Sequence, residues 1–351
     1  MNNLLFYIGA LMLSILGCSI SSNWLVLWLW IELNSLALIP ILSSNITPRS
    51  IEATSKYFLF QATGSVILLL GILFRHMNSE NLLIIGYYNT LELVIIIFAL
   101  TLKMGIFPNH FWFIDVMQGI NFLNGFFVSI ISKIIPLYII ISINNSLTFF
   151  ILYIIGVSSV LIGSIFGVQQ TQLRKLIALS SITHLGWMII LFANTSNNWI
   201  GILLFLSYII MVTPLFWLGN IFAIEHLSKG VSLAGNFTLM FTFIVSILSI
   251  AGFPPLLGFF YKWIIFYNII GNSNFLVIGI LIMASLLSLF YYINICINFY
   301  MNLWSPNKII FNNFISEIIN NNLITVTIVI ANLLLFILIW NLAPISSTLN
   351  F

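Results

Sequence analysis

Residues 23–42 read NWLVLWLWIELNSLALIPIL, twenty positions with one charged side chain, Glu32, near their middle. At 1.5 Å per residue a helix of this length spans about 30 Å, the thickness of the hydrocarbon core of a bilayer. The rest of the chain repeats the pattern, with apolar runs near 3–20, 24–43, 56–74, 84–107, 124–143, 149–168, 173–193, 199–224, 236–270, 275–298 and 323–341. Of the 351 residues 61% are hydrophobic and 5% charged, against about 25% charged in a soluble domain. Such a chain has no polar face to offer water. We read it as an all-α polytopic membrane protein with about eleven transmembrane helices in one membrane domain, 1–351, with lipids as partners. The formal charge of +3 is not clustered, so nucleic acid is not an expected partner. The opening MNNLLFYIGALMLSILGCSI lacks the basic start and small-residue cleavage site of a signal peptide and reads as a retained first helix. Cys18 and Cys296 lie in apolar runs and read as packing residues. The abundance of Ile, Phe and Asn fits a gene of low GC content, as in an organelle.

Two runs are interrupted. Pro108 follows the fourth, and the ninth is too long for one straight span and contains Gly252-Phe253-Pro254-Pro255. Proline removes a backbone donor and clashes with the preceding turn, so both read as broken helices. Within a membrane a break is tolerated only where protein or water satisfies the freed groups. The segments Lys103-Met-Gly-Ile-Phe-Pro108 and Gly252-Phe-Pro-Pro, with Lys262 following, resemble one another across 146 positions from Pro108 to Pro254. Paired interruptions of this kind point to inverted repeats with a site at the midplane. The expectation is two five-helix repeats, 3–143 and 149–298, plus a final helix 323–341; a chance likeness of two short motifs is the competing reading. With alternating helices, Arg49, Lys56, Arg174, Lys175, Lys229 and Lys308 fall in loops on one side and only Arg75 on the other. The positive-inside rule then places the N-terminus inside and the C-terminus outside.

Charge within the spans is the functional signal, because a carboxylate or ammonium at mid-membrane depth costs a few kcal/mol or more. Glu32 reads either as a packing residue paired to a neighbour or as a proton-accepting site. Lys103 precedes the first break, Lys133 is central in GFFVSIISKIIPLYIIISI, and Lys262 follows the second break. None is near enough to a helix end for snorkelling to explain it. Desolvation favours the neutral amine, which suits a group that exchanges protons near neutral pH. His110 in the first break and His184 in SSITHLGWM are weaker candidates, as packing or relay residues. Lys175 is weaker still, since it lies near the inside end of its helix. Asp115, beside the break, reads as the partner of a basic group or the lining of a water path. His76 and His226 read as solvated loop residues, and the 32 Phe and 10 Trp mostly as lipid-facing and interfacial filler.

Nucleotide and redox signatures are missing: there is no G-x-G-x-x-G, no Walker A, no C-x-x-C, no bis-His haem pattern and no H-E-x-x-H. The chain is therefore expected to bind no cofactor or metal itself, and energy for uphill transport must come from a partner or an opposing gradient.

The segments WLWIELNSLALIPIL, LTLKMGIFPNHFW, SIISKIIPLY, LRKLIALSSITHLGWM and SIAGFPPLLGFFYKW resemble the antiporter-like NADH–ubiquinone oxidoreductase chain 2 family in its mitochondrially encoded animal form. The resemblance covers essentially the whole chain in order and spacing. It implies a proton-translocating membrane subunit of respiratory complex I in the mitochondrial inner membrane, N-terminus in the matrix and C-terminus in the intermembrane space. It implies other membrane-arm subunits as partners, including neighbouring antiporter-like and small membrane subunits. NADH, FMN, iron–sulfur clusters and ubiquinone would then be held by other subunits. Glu32 and Lys103 match the family's Glu–Lys pair, Lys133 its central lysine and Lys262 its terminal site. The residues by themselves also permit a free-standing cation/proton antiporter or a non-conducting spacer of the membrane arm.

Overall fold

The computed structural model describes residues 2–79, 82–84, 86, 88–143, 146–194, 198–221, 237–254, 256–271, 275–303 and 332. Among them the chain is all-helical, with no strand beyond one isolated bridge between Asn23 and Leu83. The helices are α1 (Asn2–Ile20), α2 (Trp24–Leu42), α3 (Pro48–Ser79), α4 (Thr90–Met104), α5 (Phe111–Gly119), α6 (Phe122–Ser142), α7 (Ser146–Val168), α8 (Leu173–Asn194), α9 (Asn198–Ile221), α10 (Phe237–Ala251), α11 (Leu257–Gly271) and α12 (Phe275–Leu303). Seven, namely α2, α3, α6, α7, α8, α9 and α12, are long and apolar enough to cross a bilayer, and α1, α10 and α11 contain shorter apolar stretches. Apart from Asn332, the expected final helix 323–341 lies outside the described residues, as do His226, Lys229, Pro255 and Lys308.

The chain divides into two compact units. Unit 1 comprises Met1–Val160 and Ser181–Asn198, and unit 2 comprises Leu161–Ser180 and Trp199–Phe351. In unit 1, α3 packs against α2, α4 and α5, and α6 against α1, α2 and α4. Small residues bring helices close: a Cβ on Gly186 of α8 would stand 2.1 Å from the Ser159 hydroxyl of α7, the approach that drives helix association where lipid competes with every apolar side chain. In unit 2, α10 packs on α11 and α12, and α11 on α12.

Both interrupted runs are broken where proline and glycine lie. In unit 1, α4 stops at Met104 and Gly105 adopts the left-handed conformation (φ 66°), its N–H donating to Leu102 O. Glycine reaches that region without steric penalty. In unit 2, α10 stops at Ala251 and Gly252 is left-handed (φ 82°). A third irregularity is the π-helical turn Phe127–Ile131 inside α6, ending two residues before Lys133. Proline at 136 has no N–H to give the Ser132 carbonyl one turn back.

One end of unit 1 departs from expectation. Arg75 is not a solvated loop charge, because α3 continues to Ser79 and leaves the guanidinium 2% exposed. It lies 3.8 Å from the centre of the Tyr88 ring and donates to Ile84 O at 3.4 Å. Beside it Glu92, buried in the first turn of α4, accepts from Asn78 Nδ2 at 2.7 Å and from the Asn89 N–H at 3.2 Å. The latter bond is half of a capping box with Asn89. Glu92→Ala would remove a buried side chain that accepts both from the Asn78 amide and from the Asn89 N–H that it caps. We expect a loss of about 2 kcal/mol, measured as a lower thermal unfolding midpoint in detergent, whereas Glu52→Ala at the exposed start of α3 should leave the midpoint in place.

Candidate functional site

Lys103 occupies the last turn of α4, 2% exposed. Its stem lies over Gly64 of α3, where an added Cβ would come within 2.9 Å of Lys103 Cγ. The broken helix end leaves carbonyls without intrahelical donors. Gln61 Nε2 donates to Lys103 O at 3.0 Å and Trp112 Nε1 to Leu102 O at 3.1 Å, so α3 and α5 satisfy two of them. The ammonium Nζ itself has no hydrogen-bond partner among the described residues.

Glu32 sits midway along α2 and is half-buried, with its Oε2 enclosed and without a hydrogen-bond partner among the described residues. Among the described residues no ion pair joins it to Lys103. The pair is therefore held apart. Between the two helices lies a small cavity with room for a water molecule, lined by Asn34 and Ser35 of α2, Tyr57 and Gln61 of α3, Lys103, and Ser132 and Pro136 of α6.

Lys133 is 1% exposed, two residues beyond the π-turn. Its Nζ donates to Ser181 Oγ of α8 at 3.2 Å and lies 3.9 Å from the centre of the Phe113 ring of α5. A hydroxyl and a ring face hold the cation without neutralising it. In unit 2, Lys262 of α11 is 9% exposed and donates to Ala251 O at 2.7 Å. It thus caps the terminal carbonyls of α10, where the helix dipole favours a cation. Its stem crosses Gly252, whose Cβ would come within 3.1 Å of Nζ.

The weaker candidates divide. His110 is buried at the start of α5 with Nδ1 3.3 Å from Pro108 O, and His184 is buried within α8. Lys175 is half-buried in the first turn of α8. Asp115 is exposed and paired with Lys56 at 3.2 Å, and Lys56 also meets Glu52 at 2.9 Å. The carboxylates of that cluster are exposed, unlike the buried lysines. His76 is exposed in the last turn of α3.

A profile of the family described as NADH:quinone oxidoreductase/Mrp antiporter, transmembrane, matches residues 21–288. The chain belongs to this family. Among similar members of the antiporter family is the NADH-ubiquinone oxidoreductase chain 2 of Patiria pectinifera, 35% identical over 310 residues, 88% of this chain and 87% of the relative. The chain 2 of Dugong dugon is 38% identical over 280 residues, 79% of each. Among solved structures, a chain of respiratory complex I from Thermus thermophilus with bound aureothin aligns over 98% of this chain and 80% of its own length, with a TM-score of 0.86 at 21% identity. That likeness concerns the fold.

Sequence reasoning in this antiporter-family chain missed the lysines' neighbours. Gln61, Phe113 and Ser181 come from other helices, and no local pattern marks them. Glu92 was open to detection, because Asn89-Thr-Leu-Glu92 has the spacing of a capping box before an apolar run.

Proposed function

We propose that this chain is the antiporter-like, proton-translocating membrane subunit of a mitochondrial respiratory complex I. Protons move through Glu32, Lys103, Lys133 and Lys262, driven by redox chemistry on NADH, flavin, iron–sulfur clusters and ubiquinone held by other subunits. One observation carries the reading: three buried lysines each sit at a helix irregularity, the break after Lys103, the π-turn before Lys133 and the α10 end capped by Lys262. At such points backbone polarity is available to water and charge, and small rearrangements change what each ammonium meets. The architecture that goes with it is eleven crossings, two inverted five-helix repeats at 3–143 and 149–298 and a final helix 323–341. The N-terminus faces the matrix, the C-terminus the intermembrane space, and neighbouring membrane-arm subunits and lipids surround the chain.

The magnitudes agree. Charges about 7 Å apart at an effective dielectric of about 20 interact by roughly 2.4 kcal/mol, and moving one charge against about 150–200 mV costs roughly 3.5–4.6 kcal/mol. Two coupled shifts therefore suffice. The test is purification from membranes in mild detergent through a tag on this chain. Flavin, iron–sulfur clusters and NADH-driven pumping should co-elute with it. A free-standing antiporter would elute without them, and a spacer would co-elute with a complex indifferent to the buried lysines.

A further inference from the structure

The cavity between α2, α3, α4 and α6 brings together polar atoms that the protein itself leaves unsatisfied. Lys103 Nζ and Asn34 Oδ1 are both buried without a hydrogen-bond partner among the described residues, and both residues line it. Asn34 is 4% exposed. Burying a charged donor and an amide acceptor unpaired is unfavourable, and the two residues border the same space. The rest of the lining helps: Tyr57 is fully buried there, and Ser132 and Pro136 bring the helix of Lys133 to the same space.

We propose that this cavity is a water-binding site and that Asn34 is the residue that orients the water. Lys103 Nζ donates to the water oxygen, one water O–H donates to Asn34 Oδ1, and the second O–H remains available for onward hydrogen bonding. Asn34 thereby acts as a positioning residue for proton movement at the junction of the helices carrying Glu32, Lys103 and Lys133; this rests on the relay reading above. A carbonyl suits the task. It accepts without carrying a charge that would trap the ammonium, whereas a carboxylate at the same place would hold it in an ion pair.

The test uses the assembled complex, with Asn34→Leu, which keeps the volume and loses the acceptor, and Asn34→Ser, which keeps an acceptor. A high-resolution map of the unaltered complex should show a water within about 3 Å of Lys103 Nζ and Asn34 Oδ1. In Asn34→Leu that density should vanish and pumping per assembled complex should fall about tenfold, the value of one hydrogen bond to a charged group. Asn34→Ser should keep the water and most of the pumping, a rescue that packing alone does not predict. An unaltered complex with no water there, or Asn34→Leu pumping normally, overturns the proposal. If Asn34→Leu fails to assemble, the unaltered map and Asn34→Ser decide alone, and a dry or inactive Asn34→Ser overturns it. Normal pumping by Lys103→Met would defeat the relay reading itself, whereas an impaired Lys103→Met beside a normal Asn34→Leu defeats only the role of Asn34.

Discussion

Replacing Lys103 with Met should slow NADH-driven quinone reduction and weaken proton pumping together, each by about tenfold or more in correctly assembled complex. Methionine keeps the unbranched stem that lies over Gly64, so the packing of α3 on α4 survives. The carbonyls around the break keep their donors, because Gln61 and Trp112 bond to backbone oxygens that the substitution does not touch. What is removed is one buried charge and its interaction with Glu32; for any two charges about 7 Å apart at an effective dielectric of about 20 such an interaction is roughly 2.4 kcal/mol. That is more than a decade in rate if the coupling is used at the limiting step. Redox and transport should fall together, since a blocked proton step holds back the electron transfer that drives it. A free-standing antiporter would leave NADH oxidation untouched. Lys56→Met offers the contrast: its partners Glu52 and Asp115 are exposed, such pairs contribute little, and turnover should not change. NADH oxidation and pumping per assembled complex are the measurements, and normal values for Lys103→Met would favour the spacer reading.

The second large effect is expected from one methyl group. Gly258 lies in the first turn of α11, where an added Cβ would stand 1.7 Å from the Ser249 carbonyl oxygen of α10. That neighbour is backbone and has no rotamer to change, so Gly258→Ala must push α10 and α11 apart. Overpacking of this kind costs about 3 kcal/mol. The same displacement strips Lys262 of the Ala251 carbonyl, now 2.7 Å away. We expect the steady-state amount of assembled complex to fall about tenfold or more, because a loss of this size moves a marginal fold into degradation. What does assemble should pump poorly. Gly279→Ala in α12 is the control: nothing lies within 4 Å of its added Cβ, and alanine favours a helix over glycine. Blue-native electrophoresis of the two variants checks the contrast, and equal levels would refute the close-approach argument.

The legible parts of the fold were those with local causes. Twenty apolar positions around Glu32 specify a spanning helix by length alone, and α2 follows at Trp24–Leu42. Pro108 and Gly252-Phe253-Pro254 mark breaks through missing donors and glycine's access to positive φ, and the breaks are there. Helix ends were less legible. The run expected at 84–107 became Thr90–Met104 and the one at 56–74 became Pro48–Ser79, because capping by Asn89 and Glu92 and the burial of Arg75 move the ends without changing the hydropathy.

The sequence by itself determined an all-helical membrane chain with charges inside its spans, since the energies concerned belong to each segment and its surrounding lipid. Only the tertiary structure decided what each charge meets. Lys133 faces Ser181, 48 positions away, and the Phe113 ring, Lys262 takes the carbonyl of Ala251, and Lys103 stands apart from Glu32 beside a cavity. The physical reason is that lipid-facing and protein-facing sides are equally apolar in a membrane. Periodicity then carries little record of which face turns inward, and partners are chosen by helix packing.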